Sequence, residues 1–259
     1  MAYTYGVDVS HWQADDKGNS LVDWNKAYQE GIRFAFVKAT NGVFLTRGLK
    51  SHIEGARDAG ILTAPYHWLL FSQAQSAVNQ ARAFLTAIQN IPFDLPPVCD
   101  FEDLYNAQGA VWASAYLRGF TAYVESALGV PPMIYTGFYY WKDYGTKATW
   151  VLRHPLWLSA YGMLPKQREF PPTVSRRATA DTLVPSPWAY GAFTFWQFTD
   201  IGNGWKYGHK EGDVLDLYVF NGSEAELRRR FGLASGEAVD VPDDALARLW
   251  AAHPQLHTS

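Results

Sequence analysis

Short β-rich runs separated by helical stretches are the feature that most narrows the folds open to this chain. Residues 5–9 and 34–40 read as strands, and between them residues 24–31 carry a helical pattern that stops at Gly31. The unit repeats with a helix over 51–59 ended by Gly60, a strand over 61–68, a long amphipathic helix over 74–89 and a strand over 97–101. A helix over 113–128 ends at Gly129, and residues 133–135, 156–159, 193–198 and 215–220 complete a set of eight strands. Such alternation favours a parallel sheet. At 259 residues the chain has the size at which a sheet of this kind closes into a barrel. The later strands lack long helices between them.

Two segments break the pattern. Residues 163–188 carry five prolines and no clear period, which reads as a long loop or lid over one end of the barrel. After Gly232 the composition shifts to Ala, Ser, Gly and acidic residues, with Pro242 ahead of a helical pattern over 243–252. The expected organisation is therefore a barrel domain over 1–232, then a linker and short helix over 233–259.

Composition excludes several classes. A net charge of −3 offers no basic surplus for a nucleic-acid backbone, so nucleic acid is set aside as a partner. The single cysteine, Cys99, rules out an internal disulfide framework and a clustered-cysteine zinc site, and reads as a packing residue. No apolar run approaches the ~20 residues needed to cross a bilayer, so stable membrane insertion is not expected. The N-terminus enters a strand pattern without the basic and apolar segments of a secretory leader. The expectation is a chain made in the cytoplasm that reaches any outside target after lysis or through a holin-type pore. Aromatic residues make up 16% of the chain, more than packing alone readily uses, and aromatic faces suit the apolar faces of sugar rings.

The stretch PPVCDFEDL is the most informative. Residues two apart on a strand share a side, so Val98, Asp100 and Glu102 face inward while Cys99 and Phe101 face the helices. Two strand rises put the two carboxylates roughly 6.6 Å apart along the strand. At that spacing repulsion raises the proton affinity of one, as glycosidic cleavage requires of its acid. A solvated strand end or a metal site would also accommodate the pair. Asp8 in YGVDVSHWQ and Asp216 in VLDLYVFNG place acids at the ends of the first and last strands, which are neighbours in a closed barrel, beside the mouth where barrel active sites lie. Asp200 and Asp213 are nearby competitors for that place, with a plain surface charge as the alternative for either. His11 and His67 fall at strand ends within reach of a substrate, and neither spacing forms a recognised zinc motif. Arg228, Arg229 and Arg230 read as a solvated helix end.

In order, YGVDVSHWQ, FAFVKATNG, APYHW, LPPVCDFED, MIYTG, PLWLSAY, FTFWQFTD and VLDLYVFNG resemble the successive strand ends of family 25 glycoside hydrolases, lysozymes often encoded by phages as endolysins. The resemblance runs over residues 5–222. It implies an α/β, irregular TIM-like barrel of the form (β/α)5(β)3, and hydrolysis of the β-1,4 bond between N-acetylmuramic acid and N-acetylglucosamine in bacterial peptidoglycan. It further implies Glu102 as general acid and Asp100 as the group that orients the substrate's N-acetyl oxygen for attack. Asp8 and Asp216 would be the supporting acids, and Tyr66, Tyr135, Trp157, Tyr161 and Gln197 would line the sugar groove. No metal or cofactor is expected, and the enzyme is expected to act as a monomer.

The segment 163–188 departs from the short connection common in the family, and Lys38 stands where an inward polar residue is expected, to pair with a cleft acid or to contact substrate. Three other readings compete: a chitinase-like hydrolase of another N-acetylated glycan, a wall-binding protein without turnover, and a metal-dependent phosphodiesterase.

Overall fold

The structure is a computed structural model and describes residues 2–71, 74–103, 109–161 and 167–233. Strand β1 (Thr4–Val9) leads through α1 (Trp24–Gln29) into β2 (Ile32–Asn41), which turns back in the short β3 (Phe44–Leu45). Next come α2 (Leu49–Asp58), β4 (Leu62–Trp68), α3 (Ala77–Ile88), β5 (Val98–Asp100) and α4 (Ala110–Leu128). The second half runs β6 (Met133–Gly137), α5 (Phe138–Tyr144), β7 (Leu156–Ser159), α6 (Val174–Thr182), β8 (Phe195–Asn203), β9 (Val214–Phe220) and α7 (Glu224–Arg230). Local chemistry sets several of the ends. Ser76 caps α3 by accepting from Asn79 N, Gly129 closes α4 in the left-handed region at φ 73°, and Ser223 with Glu226 forms a capping box on α7.

The eight strands expected from the sequence form a closed ring in the order β1, β2, β4, β5, β6, β7, β8, β9 and back to β1, with β3 hanging from β2. Neighbours are parallel except at β9, which is antiparallel to both β8 and β1. No helix separates β8 from β9, and so short a connection can only return the chain antiparallel. This is the irregular α/β barrel that the resemblance implies. Because β9 runs downward, Asp216 lies near its start rather than its end, and it reaches the same mouth as Asp8, its direct register partner.

Period-two patterning divides the core into two layers. On β2, Phe34 and Phe36 point into the barrel while Ala35, Val37 and Ala39 pack beneath the helices. The lumen is filled largely by rings: Phe36 stacks on Trp157 at 4.1 Å between centroids and meets Phe195 edge-on at 5.1 Å. Gly6 on β1 leaves room for that filling, since a Cβ there would sit 2.2 Å from the Phe34 ring. As expected, Val98 joins the inner layer, and Cys99 and Phe101 the outer one.

Residues 167–188 correct the lid expected from the prolines. Helix α6 lies within them, and Arg176 on it is buried and donates to the Phe198 carbonyl at 2.6 Å. Phe170 stacks on Tyr5 at 4.4 Å and Trp188 meets Trp141 at 4.7 Å, all on the outer wall. The segment is the crossover between β7 and β8. Its prolines flank the helix instead of interrupting it, and the polar run VSRRATADT shows too few apolar residues to register a period. Residues 163–166 lie outside the described residues. So does the tail expected from residue 233, except Leu233 itself, which is buried against the end of the barrel.

Trp196 tests the outer layer. It is fully buried and its Nε1 donates to the Ala160 carbonyl at 3.1 Å. Trp196→Ala is expected to cost about 3–5 kcal/mol, measured from urea midpoints; a loss under about 1 kcal/mol would mean the ring is not packed as described. Among the described residues no helix is long and apolar enough to cross a membrane.

Candidate active site

A single mouth of the barrel gathers the polar ends of the inward-facing positions. Asp8 arrives from β1, Lys38 from β2, Tyr66 and Trp68 from β4, Asp100 and Glu102 from β5 and the residues just beyond it, Tyr135 from β6, Trp157 from β7, and Asp216 and Tyr218 from β9. Together with Ser10, Trp12, Gln13, Val214 and Leu215 they line a cavity of about 220 Å³. The turn after β1 is built to hold its rim: Gln13 Oε1 accepts from Ser10 N at 2.9 Å, and the Ser10 carbonyl meets Nε2 of the buried His52 at 3.2 Å. That turn leaves Trp12 75% exposed at the cavity edge, its ring against His11 at 4.4 Å.

Electrostatics divide the acids. Burial pushes the Glu102 carboxyl up to about 7, helped by the charge of Asp8 and opposed by Lys38 and Tyr135. Burial also holds Asp100 well above the usual carboxylate range, with repulsion from Glu102 adding to it and Lys38 pulling back. Asp216 is raised by burial and by Asp8, which it faces across the β1–β9 pair. Asp8 is raised by burial too, but polar contacts with Tyr218, Asp216 and Tyr66 and the charge of Lys38 all favour its ionised form. Among the described residues, Asp100 Oδ1 and Trp157 Nε1 are buried without a hydrogen-bond partner. An unpaired acceptor and an unpaired donor beside one cavity are costly unless a polar ligand meets them.

These contents resemble a carbohydrate cleft, with aromatic walls and paired carboxyls, and the comparisons agree. The family model described as "Glycosyl hydrolases family 25" matches residues 7–205. The chain belongs to glycoside hydrolase family 25. It is thereby a glycoside hydrolase. It is 31% identical over 237 residues to "Uncharacterized protein YegX" of Escherichia coli (strain K12), covering 88% of this chain and 73% of that protein. It is 28% identical over 234 residues to "Lysozyme M1" of Streptomyces globisporus, covering 86% and 69%. Among solved structures, the bacterial lysozyme from Streptomyces coelicolor superposes with a TM-score of 0.69 at 25% identity, covering 90% of this chain and all (100%) of that one.

In this family 25 hydrolase, seven of the nine residues named from the sequence line the cavity: Asp8, Asp100, Glu102, Asp216, Tyr66, Tyr135 and Trp157. Gln197 sits behind the wall, where its Oε1 accepts from Tyr135 OH at 2.6 Å. Tyr161 is half-buried to the side and does not line the cavity, its hydroxyl pushed up to about 12 by burial and by Asp200. Of the competing acids, Asp200 is exposed and Asp213 pairs with Arg168 at 3.3 Å on the surface. His67 corrects the expectation of substrate contact. It is buried on the outer side, Nδ1 2.7 Å from Thr40 Oγ1, Nε2 3.1 Å from Gln80 Oε1 and its ring stacked on Phe120. Gln80 Oε1 also accepts from Leu70 N, so Nε2 is the donor and the ring is neutral, its pKa lowered by burial to about 3. Trp68 and Tyr218 went unnamed, although each lies two residues beyond a named cavity residue, and strand alternation alone would have found them. Among the described residues no group of three or more His, Cys, Asp or Glu is arranged to hold a metal.

Proposed function

We propose that this hydrolase is a muramidase, cutting the β-1,4 bond between N-acetylmuramic acid and N-acetylglucosamine in bacterial peptidoglycan. The observation that carries the reading is Glu102, a carboxyl raised to about 7 at the mouth of an aromatic-lined cleft. Protonated near neutral pH, it donates to the leaving glycosidic oxygen. Asp100, one residue of alternation below, presents its unpaired Oδ1 to the N–H of the substrate's acetamido group and so turns the acetamido oxygen toward the anomeric carbon. Asp8 and Asp216 set the field around that centre. Tyr66, Tyr135 and Trp157 offer faces to the sugar rings, and Gln197 holds Tyr135 in place. Lysozyme M1 and the bacterial lysozyme from Streptomyces coelicolor carry names consistent with this substrate.

Digestion of purified cell walls followed by mass spectrometry tests the reading. Soluble fragments ending in reducing N-acetylmuramic acid are expected; fragments ending in N-acetylglucosamine, or a chitin oligomer cut faster than wall, would replace it with another N-acetylated glycan. The proposal includes an endolysin-type setting, with the enzyme released onto the wall by lysis or a holin-type pore and active as a monomer. Expressed without a pore-forming partner it should stay with the cytoplasmic fraction, and recovery from the medium of intact cells would refute that part.

A further inference from the structure

We propose that Phe44 and Trp12 form a further sugar-binding site on the rim of the cleft, which takes a ring of the glycan chain beyond those held over the acids. The inference deepens the muramidase reading and rests on it for the substrate. The cavity over the acids measures about 220 Å³. Pockets that enclose a whole small ligand begin at about 300 Å³, so a polymer must run on across the surface beside it.

The rim above β1 and β2 offers that continuation. β1 pairs with β2 only as far as Val9 and Val37, and beyond that point β3 takes over the vacated edge, pairing with Thr40 and Asn41. The β2–β3 hairpin therefore stands over the turn that carries Trp12. Arg47 ties the two together, its Nη2 donating to the His11 carbonyl at 3.5 Å. Gly42 makes the tight turn at φ 58°, its N donates to the Trp68 carbonyl at 3.1 Å, and Thr46 N donates to the Ala39 carbonyl at 2.8 Å. The hairpin is thus anchored, yet Val43, Phe44 and Leu45 are the one run of consecutive exposed large apolar residues among the described residues. An apolar patch held out to solvent in this way marks a binding surface.

Register separates its two faces, because directly paired residues share a side of a sheet. Trp68 lines the cavity, its partner on β2 is Asn41, and the partner of Asn41 on β3 is Phe44. Phe44, 66% exposed, thereby continues the cleft face, on the same sector of the rim as Trp12. Leu45 is exposed to the same degree but pairs with Thr40, whose hydroxyl lies on the outer side against His67. Charge and continuity identify the occupant. Arg47 is already paired with Asp16, and burial with the charges of Lys38 and Arg47 lowers the pKa of His11, the ring packed on Trp12. Two aromatic rings in such surroundings suit the apolar face of an uncharged sugar. Trp12 also lines the cavity itself, which makes the next stretch of the same chain the occupant.

The test measures calorimetric affinity for a tetrasaccharide and an octasaccharide of wall glycan stripped of its peptides, in the Glu102→Gln background. The octasaccharide should bind more tightly than the tetrasaccharide. Adding Phe44→Ser or Trp12→Ala should weaken the octasaccharide about tenfold, as expected for one large apolar side chain partly covered by a ligand. Phe44→Ser should leave the tetrasaccharide within about twofold, and Leu45→Ser should change neither. Equal losses from Leu45→Ser and Phe44→Ser, equal losses on both lengths in Phe44→Ser, or no advantage of the longer chain would each overturn the proposal. So would a dimer, or binding to phosphatidylglycerol vesicles, that Phe44→Ser abolishes, since the face would then belong to a second copy or a lipid surface. If wall glycan of either length fails to bind while chitin oligomers do, the muramidase reading falls instead, and the same comparison of short and long chitin oligomers decides the roles of Phe44 and Trp12.

Discussion

Glu102→Gln should reduce the initial rate of wall lysis by about 10²–10⁴-fold near neutral pH while leaving the fold and the affinity for wall in place. The substitution is nearly isosteric. Glutamine can still donate a hydrogen bond to the glycosidic oxygen but has no proton to transfer, so the leaving group must depart as an alkoxide. The wild-type profile should show the same group from the other side: with the carboxyl at about 7, the rate falls as pH rises through that value and the acid ionises. Turbidity clearing measures the rate, circular dichroism the fold and sedimentation with walls the binding. A variant that clears walls as fast as wild type would remove Glu102 from the chemistry.

The geometry behind that prediction was legible in part. Period-two alternation through Val98, Asp100 and Glu102 fixed which side of β5 faces the lumen, because a one-residue change of side would put Phe101 into the acid cluster. The meeting of Asp8 and Asp216 was legible from ring closure, yet their shared height depends on β9 running antiparallel, which no local pattern announced. The prolines around α6 read as a loop because a helix packed mainly through Arg176 and Ala180 shows no apolar stripe. His67 misled for a related reason. A histidine between two cavity residues, Tyr66 and Trp68, points away from the cavity by alternation, and only its partners Thr40 and Gln80, distant in sequence, reveal what it does. Lys38 is the plainest case. The sequence places it inward, but the two rings of β4 that its ammonium meets, Tyr66 and Trp68, are neighbours only once the barrel has closed.

The same burial that keeps Glu102 protonated strains the fold, and this yields a second large effect. A carboxyl raised from 4.5 to about 7 binds its proton more tightly in the folded state, so its contribution to stability is full below about pH 4.5 and is lost as pH rises through about 7. Above that pH the wild type must bury a charge next to Asp8, whereas Glu102→Gln buries none. The full displacement is worth about 3 kcal/mol, and partial access of water to the cleft reduces it, so the inactive variant should be more stable than wild type by about 1–2 kcal/mol at alkaline pH. Asp100 and Asp216 are displaced in the same direction, and removing their charges should act with the same sign. The difference should vanish on acidification, where both side chains are neutral and of one size. Urea midpoints taken across the pH range decide the matter. A variant that is less stable than wild type at alkaline pH, or equally more stable at every pH, would mean that the cleft does not hold Glu102 against its ionisation, and the explanation of its acidity by burial would fall with it.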